Sequence, residues 1–109
     1  MANTFKNGYL DITSSAQTIY TAPAGTTSIG ITLRVTNIDG TNSDSITCDI
    51  IDSSSGNARI AYTMTVPADS SLELFGTSKI VLEAGDYVQL QGVNASGDLE
   101  AFISVLEIT

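Results

Sequence analysis

Turn-forming residues that recur along the whole chain limit its fold more than any other feature of the sequence. Pro, Gly, Asn and Asp cluster at intervals of about 8–12 residues, as in segments 22–25 (APAG) and 83–86 (EAGD), and β-branched or aromatic residues fill the intervals. No apolar pattern with helical spacing persists long enough to predict a helix. We therefore expect an all-β fold, an antiparallel β-sandwich of about eight or nine strands of the jelly-roll or immunoglobulin-like type.

The predicted strands are the segments between these turns. They comprise residues 5–12, 18–21, 28–37, 46–51, 59–66, 72–75, 79–82, 87–93 and 99–108. The third of these segments alternates most clearly between apolar and polar or small residues. Its period of two predicts one face that is made of Ile29, Ile31, Leu33 and Val35.

The last predicted strand differs from the others because both of its faces carry apolar residues. Leu99, Ile103 and Val105 alternate there with Phe102 and Leu106. A strand of this kind is either central in its sheet or has one face against another subunit. The sequence leaves both explanations open.

The length of the chain, 109 residues, is that of one domain. We expect a single β-sandwich domain over residues 1–109, in which residues 1–12 form either an arm on a neighbouring subunit or an ordinary edge strand. Phe5, Lys6 and Tyr9 are the candidate residues for a contact with another subunit, because aromatic and cationic side chains often anchor interfaces.

The residue types on which most catalysis at neutral pH depends are nearly absent. The chain has no histidine, one cysteine and four Lys and Arg residues. A Cys–His nucleophile is therefore impossible within the chain, and Cys48 shares its predicted face with Ile46 and Ile50, which indicates a small buried apolar side chain. We predict no catalytic residue, no cofactor and no small-molecule substrate, and we expect that the protein is not an enzyme.

The segment 37–44 (NIDGTNSD) has the spacing of oxygen ligands that a calcium loop uses. Its glycine comes too early for an EF-hand loop, and Cys48 stands where the final acidic ligand should be. Asn, Asp and Gly also dominate turns for conformational reasons. We therefore predict a turn at this segment and no metal site.

The formal net charge of −8 limits the kinds of partner. An acidic surface repels the phosphate groups of nucleic acids and of anionic lipids, so we expect neither a nucleic acid nor a membrane as partner. The first residues, MANTFK, lack the cationic and apolar pattern of a secretory signal, so export is not expected.

Several segments, in their order along residues 18–108, give the chain a family resemblance. They are TIYTAPAGTT (18–27), VTNIDG (35–40), VPADSSL (66–72), VLEAGD (81–86) and SVLEI (104–108). This series resembles small virion structural proteins of tailed bacteriophages. The resemblance implies a non-enzymatic β-sandwich in the phage particle and carries over no catalytic residue.

Within that group, the resemblance favours a capsid decoration, or cement, protein. It implies partners that are the major capsid protein and copies of the chain itself, expected as a homotrimer, and a location on the capsid surface after assembly in the bacterial host cytoplasm. A tail, head–tail connector or fibre-associated protein is the first alternative. A carbohydrate-binding module is the second, although the chain has no Trp for a sugar platform.

Overall fold

The computed structural model describes residues 2–54, 56–76, 78–93 and 96–109, with the backbone alone at 96 and 97. These residues contain nine strands and no helix: β1 (Asn3–Thr13), β2 (Gln17–Thr21), β3 (Thr27–Asn37), β4 (Asp44–Asp52), β5 (Gly56–Val66), β6 (Ser71–Glu73), β7 (Ile80–Leu82), β8 (Tyr87–Gly92) and β9 (Ser96–Ile108). The predicted all-β sandwich is confirmed. Within this part of the chain, no helix is long and apolar enough to cross a membrane.

The strands form two antiparallel sheets whose order is that of a jelly roll. The larger sheet has the order β1-β9-β3-β6, with β7 also paired to β3, and the smaller sheet has the order β2-β8-β4-β5. Each early strand therefore pairs with a late one, so that the pairs β1–β9, β2–β8 and β4–β5 are nested along the chain. This winding selects the jelly-roll type over the immunoglobulin-like type.

Strands β6 and β7 together occupy one strand position beside β3. Strand β6 pairs with residues 34–36 of β3, and β7 pairs with residues 28–30. The larger sheet is therefore four strand positions wide, and β1 lies at one edge with β6 and β7 at the other.

The core lies between the two sheets and is almost entirely aliphatic. Leu33 and Ile103 from the larger sheet are fully buried, and so are Ile46 and Leu90 from the smaller sheet. Burial of each such side chain contributes about 1.5–3 kcal/mol to folding. Cys48 is also fully buried, as its place in the alternation of β4 predicts.

A β-bulge in β3 corrects one sequence prediction. The register between β3 and β9 shifts immediately after Gly30, so one extra residue is inserted into β3. An extra residue exchanges the two faces of a strand. The prediction that Ile29 and Ile31 share a face with Leu33 and Val35 is therefore wrong: Leu33 and Val35 are fully buried, and Ile29 and Ile31 are only partly covered.

Strand β9 is central, with β1 on one side and β3 on the other. Its inward residues Leu99, Ile103 and Val105 are buried in the core. Its other face carries Phe102 and Leu106, and Phe102 is 43% exposed. The apolar residues on both faces thus accompany a central strand whose outer face is open to solvent.

Candidate functional site

The outer face of the larger sheet is the side that points away from the core, and residues paired in register form rows across it. One row is entirely apolar and crosses four strands, with Phe5 on β1, Leu106 on β9, Ile29 on β3 and Val81 on β7. Phe5 is 75% exposed and Val81 is 60% exposed. Contiguous apolar surface of this kind marks interaction sites in soluble proteins. We call these four residues the apolar row.

A second row, four residues further along β1 and β9, combines aromatic and charged side chains. It consists of Tyr9 on β1, Phe102 on β9, Arg34 on β3 and Glu73 on β6. Tyr9 is 84% exposed, which is unusual for a side chain with so much apolar surface. We call these four residues the mixed row.

Polar rows separate and flank the apolar and mixed rows. Between them lie the uncharged residues Asn7, Ser104 and Thr32, and beyond the mixed row lie Asp11, Glu100, Thr36 and Ser71. At the other end of the face, Asn3, Ile108 and Thr27 form the last row. The outer face therefore carries two bands of apolar and aromatic side chains with an uncharged polar row between them, and its acidic residues Asp11 and Glu100 lie in the row at one end.

The three contact residues expected from the sequence do not lie on one face. Phe5 and Tyr9 belong to the outer face, whereas Lys6 points to the opposite side of β1, because alternate residues of a strand face opposite sides. The Lys6 Nζ lies 3.8 Å from Oε1 of Glu107. Residues 3–13 pair with β9 along their length, so this segment is an edge strand of the sheet.

Glu107 is the centre of a polar network at the inner side of the larger sheet. It is only 8% exposed, and its Oε2 accepts a hydrogen bond of 2.5 Å from the Tyr20 hydroxyl. The same hydroxyl lies 2.7 Å from the Ser28 Oγ. The network therefore joins β2 of the smaller sheet to β3 and β9 of the larger sheet, and Lys6 offsets the charge that it buries.

Burial raises two pKa values in this core, and we expect a loss of stability at alkaline pH. Burial, and then the hydrogen bond to Glu107, raises the pKa of Tyr20 from 10.0 to about 12. Burial, and then the charge of Asp49, raises the pKa of Cys48 from 9.0 to about 12. Both groups ionise more readily in the unfolded chain, so the folded state binds more protons and stability falls as pH rises from about 9 to about 12.

Urea unfolding at a series of pH values measures this loss. Cys48→Ala should remove the part that begins near pH 9, and Tyr20→Phe should remove the part that begins near pH 10. Each variant is compared with the wild type by the slope of its unfolding free energy against pH, which separates the titration from the cost of the substitution itself. If the unfolding free energies of the wild type and both variants changed equally with pH between 9 and 12, the assignment of the loss to Cys48 and Tyr20 would be contradicted.

An acidic cluster lies at the end of the sandwich that carries the chain termini. Carboxylate oxygens of Asp52, Glu83 and Asp86 lie within 4.8 Å of one another, and oxygens in this number could bind a hard cation. Asp86, however, is buried and already engaged, since its Oδ1 accepts a hydrogen bond from the Ser53 N–H (3.0 Å) and its Oδ2 one from the Glu83 N–H (2.9 Å). These bonds hold the loop after β4 against the turn before β8.

The segment 37–44 forms a turn in which backbone groups occupy the side-chain oxygens. The Asp39 Oδ1 accepts hydrogen bonds from the N–H groups of Thr41 (2.8 Å) and Asn42 (3.0 Å), and these bonds lower the pKa of Asp39. The fully buried Asn37 donates to the carbonyl oxygens of Asn42 and Val66, both at 3.0 Å. These acids and amides therefore have a conformational role, as the sequence reading of a turn predicts.

The outer edge of the smaller sheet carries a second exposed region. On β5, Tyr62 is 63% exposed and Met64 is 44% exposed. The Arg59 guanidinium lies 4.2 Å from the centre of the Tyr62 ring and its Nε lies 3.4 Å from Oδ1 of Asp49. Met64 pairs in register with the core residue Ile46, so it lies on the inner side of the same edge strand. We call Arg59, Tyr62 and Met64, which are exposed along this edge, the β5 edge patch.

Comparison with solved structures gives a likeness of fold to two kinds of assembled protein. One is a chain of the acid-stable capsid of the Helicobacter pylori bacteriophage KHP30, with 8% identity and a TM-score of 0.59 over 100% of this chain and 89% of that chain. The other comes from Bacillus endospore appendages, a family of disulfide-linked pili, with 15% identity and a TM-score of 0.58 over 99% of this chain and 87% of that chain. No family model and no curated protein matches the chain.

Sequence reasoning finds two of the exposed outer-face residues, Phe5 and Tyr9, and misses the rest of the face. The apolar row also needs Ile29 and Val81, which lie far apart in the sequence and meet only through the pairing of β3 with β7. The one local signal was the apolar character of both faces of β9. That signal shows that an outer face exists and says nothing about which strands flank it.

Proposed function

We propose that this protein is a non-enzymatic structural component of a bacteriophage virion. The observation that carries the proposal is the apolar row, which exposes Phe5 and Val81 on a sheet whose other side already forms the core. An exposed apolar side chain contributes to the stability of an assembly only when a partner covers it. The likeness of fold to a phage capsid chain and to a pilus chain supports a role in a repeating assembly.

Within the virion, we assign the protein to capsid decoration. A decoration protein contacts the major capsid protein and also copies of itself, so it needs at least two contact surfaces. The described residues offer two, the outer face and the β5 edge patch, and they lie on different sheets. Burial of apolar surface at each contact contributes about 25 cal/mol per Å² to binding, and the symmetry of the shell repeats this contribution at every copy.

A role in a tail, a head–tail connector or a fibre is the second candidate. The likeness of fold to a chain of disulfide-linked pili favours it, because a filament subunit uses the same kind of repeated contact. The single cysteine of this chain is fully buried, so a link between subunits through Cys48 would require the sandwich to open.

Binding to purified heads tests the assignment. Heads that lack the protein are mixed with increasing amounts of it and separated by sedimentation, with isolated tails and a glycan array as parallel targets. We expect saturable binding to heads, no binding to glycans, and weaker binding to heads when Tyr62→Ala and Met64→Ala are combined. Saturable binding to tails or to a glycan without binding to heads would overturn the decoration role.

A further inference from the structure

We infer that the outer face of the larger sheet binds a second copy of this chain, face to face, about a twofold axis that runs parallel to the strands between β9 and β3. The inference rests on the proposed structural role and names the occupant of one of its contact surfaces. The inference follows from the order of the side chains in each row. The axis places each row of one copy against the same row of its partner in reverse order, so that β1 faces β6 and β7, and β9 faces β3.

The apolar row is self-complementary under this operation. Reversal places Phe5 of one copy opposite Val81 of the other, and Leu106 opposite Ile29. All four positions then face apolar partners, and each apolar contact is made twice because the axis repeats it.

The mixed row is also self-complementary, although it carries both charge and aromatic surface. Reversal places Arg34 opposite Phe102, where a guanidinium can lie over an aromatic ring. It also places Tyr9 opposite Glu73. The Glu73 carboxylate accepts hydrogen bonds from the Thr32 hydroxyl and from the N–H groups of Leu33 and Phe75, and a carboxylate has acceptor capacity for one more, from the Tyr9 phenol.

The acidic rim meets no acidic rim in this arrangement. Asp11 and Glu100 lie on β1 and β9, and reversal places them opposite Ser71 and Thr36. A chain with a net charge of −8 must avoid facing like charges if it is to bind itself, since like charges opposed across an interface weaken binding strongly. Every row of the outer face satisfies this condition.

A twofold axis perpendicular to the strands gives a worse match. It exchanges the apolar row with the mixed row, so that Ile29 faces Arg34 and Val81 faces Glu73. Both charges would then lose water against an aliphatic side chain, which is unfavourable. The two axes therefore differ in energy and in which residues they bring together.

The size of the face is sufficient for a specific dimer. Four strand positions about 4.8 Å apart and five rows about 6.8 Å apart give roughly 600 Å² for each copy. The pair would therefore bury about 1,200 Å², which exceeds the roughly 1,000 Å² that a specific interface needs.

Two measurements test the inference. Sedimentation equilibrium of the wild type at micromolar concentrations should give twice the monomer mass of 11.4 kDa. Leu106→Glu, in the middle of the apolar row, should raise the dissociation constant at least tenfold and leave the circular dichroism spectrum unchanged. Tyr62→Ala on β5 removes an aromatic side chain that is 63% exposed on the smaller sheet, away from the outer face, and it should leave the dissociation constant unchanged.

Cross-linking distinguishes the two axes. Phe5→Cys protein mixed with Val81→Cys protein should form a heterodimer with a short bismaleimide, whereas Phe5→Cys mixed with Tyr9→Cys should not. A heterodimer from the second pair alone would overturn the strand-parallel axis. Two sedimentation results would overturn the inference itself. One is a wild-type protein that stays monomeric over a 100-fold range of concentration. The other is a trimer that persists in the Leu106→Glu variant. Neither result would affect binding to heads, which tests the proposed function separately.

Discussion

Ile103→Ala should lower the free energy of unfolding by about 2–5 kcal/mol. Ile103 is fully buried on the central strand β9 and lies opposite Leu33 of β3, which is equally buried. Truncation removes apolar contacts from the middle of the core and leaves a cavity that neighbouring strands cannot close, because their hydrogen-bonded pairing fixes their positions. Most small domains have only about 5–15 kcal/mol of stability, so this loss is a large fraction of the total.

Ile29→Ala is the matched control, because it makes the same chemical change on the outer face of the same sheet. Ile29 is half-buried, and its pairing partner Leu106 also points outward. In dilute protein, where association does not contribute, we expect a loss of about 1 kcal/mol from strand propensity and partial burial. The two losses are obtained from the shifts of the urea unfolding midpoints, provided that the dependence of the unfolding free energy on urea is the same in all three proteins. Equal losses in the two variants would contradict the distinction between an inner face that drives folding and an outer face that contributes little to it.

Gly30→Ala should destabilise the fold by about 1–3 kcal/mol, although it adds a single methyl group. A Cβ at residue 30 would lie 2.5 Å from Cε2 of Phe75 and 3.2 Å from two further ring atoms. Phe75 is 4% exposed and packed in the core, so the ring cannot move aside without disturbing its neighbours. Glycine is therefore required here by the close approach of an aromatic ring to the backbone of β3.

Two further variants separate this clash from a general effect of alanine in a strand. Gly8→Ala on β1 places its Cβ 3.5 Å from the nearest atoms, which is ordinary contact, and it should cost less than about 0.5 kcal/mol. In a Phe75→Leu background, where the ring atoms are gone, Gly30→Ala should cost much less than in the wild type. A cost that is the same in both backgrounds would mean that the ring is not the cause.

Local sequence patterns predicted the strands well because turns and alternation are local properties. All nine predicted segments overlap the observed strands β1 to β9. The bulge after Gly30 could not be predicted, because it depends on how β3 pairs with β9, where Val105 is the partner of Gly30, and on the Phe75 ring that covers the glycine. The nested pairing of the jelly roll is likewise a long-range property that leaves no local mark.

The candidate site was predictable only in part, for the same physical reason. Phe5 and Tyr9 were found because they are aromatic residues in an edge segment. The alternation of a strand already separates Lys6 from them, since even and odd residues face opposite sides, and the structure places Lys6 beside Glu107. Ile29 and Val81 could not be assigned to the same surface without knowledge of which strands are neighbours.

The number of copies in the purified particle tests the central claim most directly. Quantitative mass spectrometry would compare peptides of this chain with peptides of the major capsid protein in purified phage particles. We predict hundreds of copies, in a simple ratio to the capsid protein, as expected for a component that repeats with the symmetry of the shell. About a dozen copies would contradict the decoration role and place the protein in the tail or connector, and complete absence from the particle would contradict the structural role altogether.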